Sequence, residues 1–174
     1  HWGTGYDILE VGHSMALWCE TADGADRNAF IGNNIYVDGS GYKRHYTDQT
    51  VSIHLRAGYI AFRTDASDTA GEVFTPTERM RITESGNVGI GTTSPTSILN
   101  LHNDTGSNSD GARETKLTFS GKKADGTVKR AGSIKGVHDG TGNDDLGRLE
   151  FEPGEAGTKM TIDSSGNVGI GATP

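Results

Sequence analysis

Three patterns in this 174-residue sequence are of the types that do chemistry: a glycine run, acidic loops and an aromatic stretch. The run Gly86-Asn87-Val88-Gly89-Ile90-Gly91 has the glycine content of a phosphate-binding loop. A dinucleotide site needs that loop between a strand and a helix, and no helical sequence follows it. Asp104, Asn108 and Asp110, then Asp139, Asn143, Asp144 and Asp145, offer the oxygen ligands calcium takes. Neither segment has EF-hand spacing, so solvated loops are the expectation. His1, His13, His45, His54, His102 and His138 are scattered, with no close metal-ligand pair. No Gly-x-Ser-x-Gly, Walker or His-Glu-x-x-His motif occurs. Carboxylates are many, and no spacing selects a glycosidase pair. The expectation is a chain without catalytic residues, cofactor or metal.

Carbohydrate recognition needs exposed aromatic platforms with polar neighbours. Trp2, Tyr6, Trp18, Tyr36, Tyr42, Tyr46 and Tyr59 all fall in the first 60 residues. Tyr42-Lys43-Arg44-His45-Tyr46 follows a turn, and Tyr42, Arg44 and Tyr46 are the candidate receptor contacts. The same alternation also fits one face of an ordinary strand.

The elements that position these residues are repeated. Met80-Arg81-Ile82-Thr83-Glu84-Ser85-Gly86-Asn87-Val88-Gly89-Ile90-Gly91 returns 80 residues later as Met160-Thr161-Ile162-Asp163-Ser164-Ser165-Gly166-Asn167-Val168-Gly169-Ile170-Gly171, with nine of twelve positions identical. A duplicated phrase of this kind is a building block sooner than an active site. Ile8-Leu9-Glu10-Val11 aligns with Ile98-Leu99-Asn100-Leu101, and Gly58-Tyr59-Ile60-Ala61-Phe62 aligns with Gly147-Arg148-Leu149-Glu150-Phe151. The chain therefore divides into the end of a preceding segment (1–7), a first module (8–95) and a shortened second module (98–174).

Each module reads as β. Apolar residues alternate at Val51/Ile53/Leu55, Ile60/Phe62, Met80/Ile82 and Val88/Ile90, and again at Leu117/Phe119, Leu149/Phe151, Met160/Ile162 and Val168/Ile170. Asp23-Gly24, Asp38-Gly39, Asp110-Gly111, Asp125-Gly126 and Asp139-Gly140 are hairpin-type dipeptides. In the repeated phrase, Gly86 or Asn87 is placed to take positive φ. Val88, Ile90, Val168 and Ile170 are expected to be buried. Gly89, Gly91, Gly169 and Gly171 leave the opposite side bare for close approach of another backbone, in a trimer a neighbouring chain's. The expected fold is all-β: short antiparallel strands in two elongated modules, intertwined or side by side in a homotrimer.

Composition agrees with a shared core. Only 32% of residues are hydrophobic, and 26 are glycine, which has no side chain to fill an interior. Oligomerisation is the simplest remedy for so little apolar material. The net charge of −7 argues against nucleic acid as a partner. No apolar run approaches the roughly 20 residues that cross a bilayer, so no membrane insertion is expected. Cys19 is the only cysteine, which rules out an internal disulfide. A sequence opening on His1 is expected to be a piece of a longer polypeptide.

Residues 77–95, Thr77-Glu78-Arg79-Met80 through Gly91-Thr92-Thr93-Ser94-Pro95, closely resemble a phrase of bacteriophage tail-fibre and tail-spike proteins that often precedes a C-terminal intramolecular-chaperone domain. Asn28 to Gly39 and Tyr59 to Gly71 resemble other elements of those repeats. The second module ends Gly171-Ala172-Thr173-Pro174, one residue shorter than the Thr-Thr-Ser-Pro form. The resemblance implies a homotrimeric, non-enzymatic shaft in an extracellular virion appendage. Its implied partners are its own copies, other virion tail proteins and a host cell-surface glycan. The alternative is a carbohydrate-binding adhesin using the aromatic-rich first module.

Overall fold

Alternating apolar and polar residues separated by Asp-Gly and Asn-containing turns fold here as antiparallel strands joined by tight connections. In the computed structural model, which describes residues 6–12, 14–20, 28–103, 111–140, 146–154 and 156–172, the protein is all-β. The chain forms two units, His1–Asn100 and Leu101–Pro174.

The first unit contains β1 (Tyr6–Val11), β2 (Met15–Glu20), β3 (Ala29–Asn33), β4 (Tyr36–Asp38), β5 (Gly41–Lys43), β6 (Thr50–Arg56), β7 (Tyr59–Asp65), β8 (Val73–Phe74), β9 (Glu78–Thr83) and β10 (Val88–Ile90). Its main sheet runs β1-β2-β3-β6-β7-β9-β10 and ends with β11 (Leu99–Leu101). A separate three-stranded sheet, β4-β5-β8, holds the remaining strands. The expected second module thus begins differently: residues 99–101 end the first sheet, and the units divide after Asn100.

The first unit's core is aromatic. Trp18, Phe30, Ile35 and Val37 are buried together, with Ile8, Tyr42 and Phe74 packed against them. Trp18 and Phe30 meet edge to face with ring centroids 4.7 Å apart. Gly32 makes room for this cluster, because a Cβ there would sit 2.3 Å from Phe30 and 2.4 Å from Ile35.

Asn34, in the left-handed region at φ 57°, organises the following loop. Its Nδ2 donates to the carbonyls of Tyr46 and Gln49, both at 3.1 Å, and its Oδ1 accepts from the Tyr46 amide at 2.8 Å.

The second unit is one sheet, in order β12 (Glu114–Lys122), β13 (Val128–His138), β14 (Gly147–Pro153), β15 (Met160–Ile162) and β16 (Val168–Ile170). The first two strands, of 9 and 11 residues, exceed the short strands expected. Asp125 forms their turn by accepting from the Thr127 amide at 2.9 Å, with Gly126 at φ 87°. Among the described residues of this unit, Val137 is the buried apolar side chain. One valine is not a core.

Candidate interaction surface

The strand registers line up apolar side chains across whole sheets. In the first unit the cross-strand pairs connect Leu9, Leu17, Ile31, Ile53, Phe62, Met80 and Ile90 in one row. At 4.7–4.9 Å between neighbouring strands, the row is roughly 30 Å long. A parallel row on the same face joins Cys19, Ala29, Leu55, Ile60, Ile82 and Val88. In the second unit the corresponding row is Leu117, Ile134, Phe151, Met160 and Ile170.

Both rows face solvent. Leu9, Ile31, Phe62 and Ile90 are exposed in the first, and Leu117, Ile134 and Ile170 in the second. An apolar hollow of about 460 Å³ opens among Leu9, Leu17, Ile31 and Leu55, and one of about 420 Å³ among Phe119, Ile134, Phe151 and Ile170. Contiguous exposed apolar surface on this scale marks an interaction site.

The other face of the second sheet is a charged ladder. Lys116, Lys135, Glu150 and Thr161 stand side by side across four strands, and Ser133 and Glu152 form the next rung. Lys135 Nζ lies 2.9 Å from Glu152 and 3.4 Å from Glu114, besides its contact with Glu150. Arg130 closes on Glu152, and Arg148 Nε donates to Glu150 at 2.7 Å. Burial alone would push Lys135 down, but hydrogen bonds to Glu150 and Glu152 outweigh it and hold the ammonium above its usual range. Glu152 is held down to about 2, chiefly by the Lys135 hydrogen bond. The sequence reading missed this ladder, although Arg148, Glu150 and Glu152 alternate with Leu149 and Phe151 in plain view.

The two copies of the repeated phrase make the same hairpin. Thr83 donates its amide to Asn87 at 2.9 Å and accepts from the Gly86 amide at 2.9 Å; Asp163, Asn167 and Gly166 repeat both bonds at 3.0 Å. Gly86 and Gly166, rather than the asparagines, take positive φ, at 83° and 85°. Where Thr83 Oγ1 accepts from the Asn87 amide at 3.1 Å, Asp163 Oδ1 accepts from that of Asn167 at 2.7 Å. Gly91 and Gly171 each donate back to the residue before the β9 or β15 methionine, Arg79 and Lys159. Met80 pairs with Phe62 and Ile82 with Ile60, as Met160 pairs with Phe151 and Ile162 with Leu149.

In the single chain, burial within the phrase runs opposite to the expectation. Gly89 and Gly169 are buried, whereas Ile90, Val168 and Ile170 are exposed and Val88 is half-buried. The backbone that closes on Gly89 belongs to its own chain: a Cβ there would lie 2.7 Å from the Thr92 carbonyl and 3.4 Å from Pro95. The Thr-Thr-Ser-Pro tail of the phrase is what folds across the glycine.

The aromatic stretch does not form the expected patch. Tyr42 packs against the core cluster, and Arg44 is only 4% exposed. The Arg44 guanidinium lies 3.9 Å over the Phe74 ring and donates to the Ala66 carbonyl at 3.0 Å. Tyr46, 50% exposed, remains at the surface. The three candidate contacts are split between interior and exterior because β5 ends at Lys43, so the alternation that would keep Tyr46 on the side of Tyr42 does not continue to it.

No protein-family model matches the chain. No curated protein matches it either. Among the described residues, no group of three or more His, Cys, Asp or Glu is arranged to hold a metal ion. His54 is buried at 3.1 Å from Ser52 Oγ, and the His45 ring meets that of Tyr36 at a 42° tilt with centroids 4.7 Å apart. The acidic positions Asp104, Asn108, Asp110, Asn143, Asp144 and Asp145 lie outside the described residues, as do His1, Trp2, His13 and the Asp23-Gly24 turn. Asp139 is engaged by Arg148 at 3.3 Å and by the Ser164 amide at 3.0 Å.

Proposed function

We propose that this chain is a structural shaft or connector segment of a bacteriophage tail fibre or similar extracellular virion appendage. Three copies associate through their apolar sheet faces, and the assembled modules hold a receptor-binding element away from the particle. The carrying observation is the pair of exposed apolar rows, Leu9 to Ile90 and Leu117 to Ile170, in a chain whose second unit, among the described residues, buries almost no apolar side chain of its own. The resemblance of residues 77–95 to tail-fibre phrases supports the virion setting.

Against the adhesin alternative, Tyr42 packs on the core of the first unit and Arg44 is buried there, leaving Tyr46 as the exposed member of the three candidate contacts. Sedimentation of the purified chain tests the reading. A species near three times 18.4 kDa, reduced to monomer by Ile31→Lys with Ile134→Lys, is the expected result. A folded monomer that binds on a glycan array would overturn it in favour of the adhesin.

A further inference from the structure

Strand for strand, the two units repeat one sheet. β3, β6, β7, β9 and β10 of the first follow the same antiparallel order as β12, β13, β14, β15 and β16 of the second. Across these five strands the bare row reads Ile31, Ile53, Phe62, Met80 and Ile90 in one unit. It reads Leu117, Ile134, Phe151, Met160 and Ile170 in the other. Four of the five residues are identical, and the fifth exchanges isoleucine for leucine. The opposite face keeps only its glycine. Phe30, His54, Ala61, Arg81 and Gly89 in the first unit are replaced by Lys116, Lys135, Glu150, Thr161 and Gly169 in the second.

This inverts the usual constraint. Packing restricts an interior, whereas substitutions at solvated positions cost little. Here the sheltered face is rebuilt from an aromatic core into an ion-pair ladder, while the bare face is the same twice. A bare row held to one composition in two different settings is a contact surface, and its partner has the same shape at both.

We propose that this partner is the same row of a second copy, each residue level with its own counterpart about an axis running across the strands: Phe62 against Phe62, and Phe151 against Phe151. The proposal rests on the association through apolar faces stated under the proposed function, and adds which surfaces meet and in what register. A second copy is the occupant that brings the matching row twice. Length favours like on like. Among the described residues the first row continues through Leu17 to Leu9, and the second begins at Leu117. Only seven strands against seven and five against five leave no apolar residue bare. Each strip covers roughly 300–450 Å² at the strand spacing and rise of a sheet. Neither alone reaches the about 800 Å² per partner of a stable interface, and the two together come near it. Closed symmetry that sets both units on their own counterparts holds the copies parallel.

Cysteine cross-linking of the intact chain tests the register. In a Cys19→Ser background, Ile31→Cys and Leu117→Cys place single thiols at equivalent, exposed positions of the two rows. Co-expressed and treated with a short bis-maleimide, the two variants should give 31–31 and 117–117 links and no 31–117 link, read by peptide mass. Ile90→Cys with Ile170→Cys repeats the measurement at the other end of the rows. Thr118→Cys, on the ladder face beside Ser133, should stay unlinked. Sedimentation separates the two ideas. A monomer would overturn both this register and the shaft reading. An assembly whose thiols join 31 to 117, or do not join in either pair of variants, would overturn the register and leave the shaft reading standing.

Discussion

Lys135 Nζ lies 2.7 Å from Glu150 on neighbouring strands, while Ile134 and Phe151, the next residues along those strands, pair on the opposite face of the same sheet. The ion pair is sheltered and the apolar pair is bare. Removing the cation with Lys135→Met leaves Glu150 and Glu152 facing each other without it and should cost about 1–3 kcal/mol. Hydrogen exchange of the β13–β15 amides against urea measures this. Unaltered protection would mean the ladder contributes nothing to the sheet.

Gly89→Ala should destabilise the first unit by about 1–3 kcal/mol, because the added methyl group meets the Thr92 carbonyl oxygen at 2.7 Å. Gly39→Ala is the control, since nothing lies within 4 Å of a Cβ there. Urea midpoints by tryptophan fluorescence compare the two. Both tryptophans, Trp2 and Trp18, lie in residues 1–100, so the signal reports that unit alone.

Asn34→Ala should cost about 2–3 kcal/mol by taking the acceptor from the Tyr46 amide and this donor from the Gln49 carbonyl, and by adding strain at φ 57°. Asn34→Gly loses the same bonds without the strain and should sit between alanine and wild type. Equal stability of all three would show that the loop closes without this side chain.

Acid should weaken the two units in sequence. Burial lowers His54 to about 4, with the charges of Arg63 and Arg56 adding to the effect. The unfolded imidazole binds its proton near 6.5, so the unfolded chain takes up protons first as pH falls. The contribution of His54 is complete above 6.5 and is lost on descent to 4, at no more than about 1.4 kcal/mol per pH unit. Glu152 titrates near 4.5 when unfolded and about 2 when folded, so its contribution is complete above 4.5 and lost on descent toward 2. Urea midpoints of the first unit should therefore fall between pH 6.5 and 5, where β13–β15 amide protection holds. His54→Phe should flatten that decline.

The strands and hairpins were legible because period-two alternation and Asp-Gly turns are local signals. The common registers of Phe62 with Met80 and Phe151 with Met160 were likewise implicit in the aligned repeats. The inward turn of Arg44 was not, because its partners Ala66 and Phe74 lie 22 and 30 residues onward and alternation does not say which side faces in. The separate β4-β5-β8 sheet was illegible for the same reason. The polarity of the second sheet escaped because apolar residues were assigned to an interior that this unit does not make by itself.

The order of strands has a consequence for biosynthesis. In the second unit each strand pairs with the one translated immediately before it, and the first unit departs from this only at β4, β5 and β8. Such neighbour-by-neighbour pairing closes short loops and is fast. Each sheet can therefore form while the nascent chain is still attached to the ribosome, with its oily side already uncovered. If copies associate as proposed, the outcome from that moment is a race between encounter with sister chains and precipitation, and the concentration of newly made copies sets the winner.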